Sequence, residues 1–359
     1  MRRIKKYIPT VPFILILISL IALFIMLLSA RCVSAADAVN STVGSLMRRF
    51  LSAISYIFPF SLFEVLALLA IPLLVAAIVL VLRSKPTLVR FVRSAVSLVS
   101  VIGIVFTSYV FTLGVAYRTT PLSEKMGLDA TADISAEELY GVTLLVRDKV
   151  NLLAKEIIYE DGQSRSGYTL DRISELVCLG YDRVEKEHSL LKNFKSRAKP
   201  IRFSGIMTDA GITGIYSFFT GEANINMAYP DYCLPFTVAH ELAHQRGFAR
   251  EDEANFMAYL ACISSDDAYI QYSGYLNLYE YLSSAMYNAS PELYKSVREG
   301  LDGGARGDSL AASAVTKAHS GTALGELADK ANDAYLQMNG TAGTVSYGYV
   351  VRLAVAYYR

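Results

Sequence analysis

Three long segments without a charged residue stand in the first 117 residues of this chain. No Asp, Glu, Lys or Arg occurs from Tyr7 to Ala30, from Val65 to Leu82, or from Ser94 to Tyr117. Each segment is long enough to cross about 30 Å of hydrocarbon as a helix. Buried helices of a soluble core are the alternative, but three such segments so close together favour a membrane anchor. We predict spans at about residues 8–30, 62–82 and 94–117, in an anchor of residues 1–117.

The first span has a second interpretation as a secretory signal. Small residues follow it at Ser34, Ala35 and Ala36, as they do at a signal cleavage site. Its apolar run is longer than the usual core of a signal, so we favour an uncleaved anchor.

The charge composition excludes two broad classes of protein. Lys and Arg number 34 against 33 for Asp and Glu, and this balance argues against nucleic acid as a partner, because binding phosphates needs a surplus of cations. Charged residues make up only 19% of the chain and mean hydropathy is +0.34, so the chain is not globally disordered.

The distribution of basic residues predicts the orientation of the spans. Eight Lys and Arg flank the amino terminus and the second link, whereas three lie in the first link. Basic residues accumulate on the cytoplasmic side, so we expect a multi-pass protein of the plasma membrane with a cytoplasmic amino terminus and residues 118–359 outside the cytoplasm. The eight are Arg2, Arg3, Lys5, Lys6, Arg83, Lys85, Arg90 and Arg93; the three are Arg31, Arg48 and Arg49.

The link between the first two spans contains an amphipathic pattern. Its apolar residues recur at helical spacing, and two arrangements fit them: a helix lying in the membrane interface, or one packed on the spans. The apolar residues are Val43, Leu46, Met47, Phe50, Leu51 and Ile54.

Residues 118–359 predict a mostly helical domain with one small sheet. Apolar periodicity indicates helices over residues 133–160, opened by a capping box at Ser135, and over 169–194. Short β-rich runs at 212–220 and 223–227 predict strands. The Gly303, Gly304 and Gly307 cluster predicts a loop.

The sequence His240-Glu241-Leu242-Ala243-His244 is an H-E-x-x-H motif. On a helix, the two histidines are one turn apart on one face, so both imidazoles can bind one Zn²⁺. Glu241 projects beside them and can take a proton from a water that the metal activates. Pro235 suits the first turn of this helix and Gly247 its end.

A catalytic zinc site needs a third protein ligand, and acidic residues follow the motif at once. Glu251 would stand at the start of the next helix, predicted over residues 251–263, and Glu253 is the alternative ligand. Asn255, one turn beyond Glu251 on the same face, could hydrogen-bond a ligand. Arg246 and Arg250 are expected on the surface, paired with Asp252 or Glu253.

The segment Glu251-Asp252-Glu253-Ala254-Asn255 resembles the E-x-x-A-(N/D) helix of glutamate-zincins. That resemblance implies that Glu251 is the third zinc ligand and that the strand over residues 215–226 pairs with an extended peptide. The stretch GEANINMAYPDYCLPFTVAHELAHQRGFAREDEANFMAYLAC is similar to a bacterial family known as domain of unknown function 3810. In that family, amino-terminal spans accompany the same motif block.

We therefore predict a zincin-like zinc metallopeptidase that is anchored in the lipid bilayer and hydrolyses protein or peptide substrates near the membrane or in the cell envelope. His240, His244 and Glu251 hold the metal and Glu241 is catalytic. The alternative is a non-catalytic envelope scaffold that binds partners and that metal stabilises. Tyr347 or Tyr349 could donate to the oxyanion, although ordinary packing explains tyrosines in a chain that has 24 of them.

Overall fold

The computed structural model describes residues 9–83 and 87–359, without the side chains of residues 80–82, 346 and 347. The chain divides into two compact units. Unit 1 contains the described residues up to Thr119 together with Ser217–Gly221, and unit 2 contains Thr120–Tyr216 and Glu222–Arg359.

Most of the described chain is helical. The elements of unit 1 are α1 (Thr10–Ser29), α2 (Val33–Val39), a π-turn (Asn40–Gly44), α3 (Ser45–Tyr56), α4 (Leu62–Arg83), α5 (Leu88–Tyr109), a second π-turn (Val110–Gly114) and a 3₁₀ turn (Ala116–Arg118). The helices of unit 2 are α6 (Leu122–Lys125), α7 (Ala136–Ala154), α8 (Leu170–His188), α9 (Ser204–Asp209), α10 (Cys233–Arg246), α11 (Glu251–Ile263), α12 (Ala268–Ala289), α13 (Pro291–Glu299), α14 (Gly303–Ala318), α15 (Ala323–Met338), a 3₁₀ helix (Gly343–Tyr349) and α16 (Val350–Tyr358). Its strands are β1 (Ile158–Glu160), β2 (Gln163–Arg165), β3 (Ala198–Ile201), β4 (Gly214–Ser217) and β5 (Glu222–Asn226).

Three helices of unit 1 have the length and apolarity needed to cross a membrane, as predicted. They lie within Thr10–Ser29, Leu62–Val79 and Leu88–Arg118. The third begins at Leu88 rather than at residue 94, because Thr87 caps it by accepting a hydrogen bond from the backbone N–H of Arg90. The basic residues Arg2, Arg3, Lys5, Lys6 and Lys85, which contribute to the predicted orientation, lie outside the described residues.

Helices α1 and α5 pack side by side through small residues. A Cβ at Gly103 of α5 would lie 2.4 Å from Ser19 Oγ of α1, so any larger residue would force Ser19 to shift. Ala22 of α1 and Val110 just beyond α5 are fully buried in the same cluster. Small residues at a helix contact are the usual means of close packing between membrane helices.

The helices of unit 2 form the large core, and two of them are shorter than predicted. Ser135 caps α7 as expected, by accepting from the N–H of Glu138. However, α7 ends at Ala154, and residues 158–160 pair with 163–165 as the hairpin β1–β2. Helix α8 ends at His188 because Ser189 adopts a left-handed conformation (φ 53°).

The three-stranded sheet has the order β3-β5-β4, with β3 parallel to β5. Strand β4 lies within the predicted run 212–220, β5 begins one residue before the predicted run 223–227, and β3 was not predicted. Its Lys199 is buried and forms an ion pair with Glu222 of β5 at 2.8 Å. Pro200 follows, and proline is tolerated here because β3 is an edge strand. A charged residue beside a proline conceals the strand in the sequence.

The prediction of a loop at the Gly303, Gly304 and Gly307 cluster is wrong, because these residues open helix α14. Asp302 caps that helix by accepting from the N–H groups of Gly304 and Ala305. A Cβ at Gly304 would lie 2.4 Å from the Tyr159 ring, and one at Gly307 would lie 2.1 Å from Gly162 O. The glycines therefore serve close packing of α14 on the β1–β2 hairpin rather than a turn.

The buried carboxyl group of Glu280 in α12 should make the free energy of unfolding depend on pH. It accepts hydrogen bonds from Tyr232 and Ser309, and burial raises its pKa to about 6. The folded state thus holds this proton more tightly than the unfolded chain, so the stabilising contribution present at low pH is lost as the pH rises through about 6. We expect Glu280→Gln to raise the free energy of unfolding at pH 7 by up to about 2 kcal/mol.

Urea unfolding of the variant and the parent at pH 4.5 and pH 7 measures this effect. The gain should be confined to the higher pH, because at low pH the parent is already neutral at this position. An equal change at both pH values would contradict the assignment of the effect to the charge of Glu280.

Candidate metal centre

Helices α10 and α11 bring the predicted ligands together through a tight turn. Gly247 ends α10 in the left-handed region (φ 99°), which a side chain would disfavour, and the chain reverses there. Helix α11 then begins at Glu251, the predicted position. Every residue of α10 is buried except His240, which explains why this helix has no polar face.

Three candidate ligand atoms lie within 4.8 Å of one another: one each from His240, His244 and Glu251. His240 Nε2 is 3.1 Å from His244 Nε2, and Glu251 Oε2 is 3.2 and 3.6 Å from these two nitrogens. Ligands at 2.0–2.1 Å in tetrahedral coordination are about 3.3 Å apart. The triangle therefore has the dimensions of one face of a zinc tetrahedron.

The backbone orients the second histidine. His244 Nδ1 lies 2.8 Å from the carbonyl oxygen of Phe248, which can only accept, so Nδ1 carries a proton and donates it. The lone pair of a neutral His244 is then on Nε2, which faces His240 and Glu251. A hydrogen bond of this kind fixes the tautomer of metal-binding histidines. No side-chain pattern could have identified Phe248, because only its backbone acts.

Glu241 is buried beside this triangle, against strand β4. The backbone N–H of Tyr216 donates to its carboxylate, and a Cβ at Gly214 would lie 2.6 Å from Glu241 Oε1. Burial raises the pKa of Glu241, the neighbouring histidines oppose this effect, and the net pKa is raised. A carboxyl group with a raised pKa is suited to accept and return a proton.

Two buried polar atoms without a hydrogen-bond partner lie at this site in the described part of the chain. They are His240 Nδ1 and Glu241 Oε2. Buried polar atoms are normally satisfied, and those that are not often mark functional positions. These polar groups are therefore candidates for a role in binding or catalysis rather than in stabilising the fold.

The three candidate ligands are strongly coupled electrostatically. Burial alone would lower the pKa of His244, but the nearby Glu251 carboxylate outweighs it and raises that pKa to about 9. Burial would raise the pKa of Glu251, but the two imidazoles outweigh it and lower that pKa. A negative carboxylate beside two imidazoles is a donor set that suits a divalent cation. Two nitrogen donors and one oxygen donor favour zinc among such cations.

Glu253, the alternative ligand, points elsewhere. Its Oε1 accepts hydrogen bonds from the backbone N–H of Leu122 and from Arg250. The predicted pairing of Arg250 with Glu253 is thus observed, at 2.7 Å, although the carboxylate is buried rather than on the surface.

The expectation that Arg246 lies on the surface is wrong. Its guanidinium is buried over the Tyr181 ring at 4.6 Å, and it donates to Asn193 Oδ1 and Phe194 O. Arginine stacks well on aromatic rings, so α10 uses it to hold the segment before β3. One helical turn beyond Leu242, this position faces the core because α10 is enclosed on all sides.

Asn255 lies on the Glu251 face of α11, as predicted, and is 2% exposed. Tyr281 of α12, which sequence reasoning missed, lies beside the Asn255 amide; burial and then the Glu251 charge raise the pKa of Tyr281. Nothing distinguishes Tyr281 from the other tyrosines in the sequence. Of the tyrosines considered earlier, Tyr349 is 41% exposed, and the side chain of Tyr347 lies outside the described residues.

Strand β4, which carries Gly214 and Tyr216, is an edge strand of its sheet. Its outer backbone groups have no neighbouring strand among the described elements. An extended peptide can add to such an edge through backbone hydrogen bonds. The glycine at 214 is a signal that could have been used, because glycine in a strand often marks a close approach.

The site thus consists of two histidines and a glutamate placed as candidate metal ligands, with the carboxylate of Glu241 beside them. The chain belongs to the family described as Protein of unknown function (DUF3810), whose model matches residues 40–355. No curated protein and no solved structure matches the chain.

Proposed function

We propose that this protein is a membrane-anchored, zinc-dependent peptidase of the glutamate-zincin type, with its catalytic unit outside the cytoplasm. The observation that carries the proposal is the triangle of His240 Nε2, His244 Nε2 and Glu251 Oε2, with edges of 3.1–3.6 Å. Catalytic zinc sites have three protein ligands and one position open to water or substrate. His240 is the one residue of α10 that is not buried, which supports an opening of the site to water.

The residues divide the chemistry of peptide hydrolysis among them. Zinc, when bound, would polarise the scissile carbonyl and lower the pKa of water. Glu241 takes the proton from the attacking water and returns it to the leaving amine. Phe248 holds His244 in the tautomer that binds metal, and strand β4 aligns the substrate backbone.

The proposed substrates are proteins or peptides near the membrane or in the cell envelope. Three helices capable of spanning a bilayer precede the catalytic unit in the chain. An anchored enzyme reaches only substrates in its own compartment and close to its membrane. The balanced charge of the chain supports no nucleic-acid substrate.

Metal content and cleavage activity of the full chain in detergent test this function together. We expect one zinc per chain, hydrolysis of a mixed-sequence fluorogenic peptide library, loss of hydrolysis with a chelator, and recovery on adding zinc. One bound zinc without hydrolysis would instead support the non-catalytic, metal-stabilised scaffold. A chain that binds no zinc under these conditions would contradict both.

A further inference from the structure

One amphipathic helix of unit 1 has its polar side turned inward. We call Val33–Tyr56 the link helix; it consists of α2, the first π-turn and α3, and its backbone remains helical throughout. Its buried positions along α3 and the end of the π-turn are small or polar, whereas four of its large apolar residues are exposed and two, Met47 and Leu51, are half-buried. The buried set is Gly44, Arg48, Ser52 and Ser55, and the exposed set is Val43, Leu46, Phe50 and Ile54.

Arg48 holds the polar side against the rest of unit 1. Its guanidinium is 2% exposed and donates to Asn40 Oδ1 at 2.8 Å, to Asn40 O at 2.9 Å and to Thr112 O at 3.3 Å. A Cβ at Gly44 would lie 2.7 Å from Phe111 O, so the helix approaches the second π-turn closely. Rotating the helix to bury its apolar side would break the contact with Thr112 O, whereas the bonds to Asn40 lie within the link helix and would move with it. The contact with Thr112 and the close approach at Gly44 therefore determine which side of the helix faces unit 1.

The link helix touches the ends of two spans on one side. It contacts α1 near Ser29 and the turns that follow α5, around Val110–Arg118. With three successive crossings, α1 and α5 run in the same direction, so both of these ends emerge at the same membrane face. The helix therefore lies at the level where spans leave the hydrocarbon.

The exposed side matches a lipid-facing surface in kind and degree. Leu46 is 69% and Phe50 62% exposed, compared with 65% for Phe24 of α1 and 71% for Ile71 of α4. A strongly amphipathic helix at that level buries its apolar face among the acyl chains near the headgroups. Water is a poor solvent for such a continuous apolar stripe.

We propose that the link helix lies in the plane of the membrane, with Leu46, Phe50 and Ile54 in the acyl region of the leaflet in which α1 and α5 end. The link helix begins against α1, and its stripe has the residue types and the exposure of the apolar surfaces of α1 and α4, so its occupant is lipid rather than a second protein. This inference rests on the membrane anchoring that belongs to the proposed function.

Tryptophan fluorescence can test this placement without background, because the chain contains no tryptophan. The full chain is reconstituted into phosphatidylcholine vesicles with or without brominated acyl chains, which quench tryptophan on contact. The test variants are Leu46→Trp and Phe50→Trp. Phe24→Trp in α1 is the membrane control, and Leu152→Trp, at an exposed position of α7 in unit 2, is the aqueous control.

We expect bromine to quench both test variants about as strongly as Phe24→Trp, and shallow bromine positions to act on them more than deep ones. Leu152→Trp should be quenched by aqueous iodide instead. Test variants that iodide quenches and bromine does not would overturn the inference and leave the anchor intact, provided that bromine quenches Phe24→Trp. Test variants shielded from both quenchers would also overturn it, since a second copy then covers the stripe. Absence of bromine quenching at Phe24→Trp would overturn the anchoring and the inference together.

Discussion

Glu241→Gln is expected to lower kcat for peptide hydrolysis by about 10³- to 10⁴-fold, the usual contribution of a general acid–base group. The amide can still accept the hydrogen bond from the Tyr216 backbone N–H, but it cannot take a proton from water. KM should change little, because in the proposed function the peptide is held by β4 rather than by Glu241. Steady-state kinetics together with zinc content on the same preparation measure both quantities.

The variant should remain folded and keep its metal. Burial raises the pKa of Glu241, so replacing the carboxylate by a neutral isostere removes an unfavourable buried charge. Glu280→Gln is the matched control: it removes another buried carboxyl group, one that binds Tyr232 and Ser309, and its kcat should match that of the parent. Hydrolysis by Glu241→Gln at the parental rate would exclude Glu241 as the general base.

Local patterns in the sequence predicted those parts of the centre that depend on a single helix. Two histidines four residues apart lie on one face of any helix, and Gly247 ends that helix because glycine adopts the left-handed conformation most easily. The start of α11 at Glu251 also followed from local pattern. These features depend on residues within a few positions of one another.

Features that depend on contacts between distant segments could not be predicted. The sequence around Arg246 predicts a surface residue, but the segment before β3 packs against α10 and buries it. Gly304 and Gly307 predict a loop from the sequence alone. In the structure they belong to a helix that packs closely on Tyr159 and Gly162. In each case the residue type fits two environments, and the distant partner decides between them.

The link helix shows the same limit in unit 1. Its apolar spacing predicted a helix but left both faces possible as the buried one. Arg48 distinguishes the two faces, because its hydrogen bond to Thr112 O joins the helix to a residue 64 positions away. The usual rule that the apolar stripe faces the protein core assumes water on the other side, and beside two helices that span a bilayer, as we propose for α1 and α5, that assumption would fail.

The choice between Glu251 and Glu253 as third ligand predicts opposite effects of two matched substitutions. Glu251→Gln removes the carboxylate that lies 3.2 Å from His240 Nε2. Zinc affinity should fall by more than about 100-fold, because loss of a residue that only hydrogen-bonds a metal ligand already costs up to about that factor. Glu253→Gln weakens the contacts with Leu122 and Arg250, so the free energy of unfolding should fall by about 1–3 kcal/mol while zinc affinity stays within a few-fold.

Competition titration against a chromophoric chelator gives the affinities, and urea unfolding of the metal-free forms gives the stabilities. Each variant removes one buried carboxylate from the first turn of the same helix. A loss of zinc affinity in one and of stability in the other would therefore reflect the different contacts of the two side chains. A general effect of charge or of helix capping would change both variants alike, whereas coordination by Glu251 changes only one. Loss of zinc confined to Glu253→Gln would assign the third ligand to Glu253 and require the first turn of α11 to rearrange on binding metal.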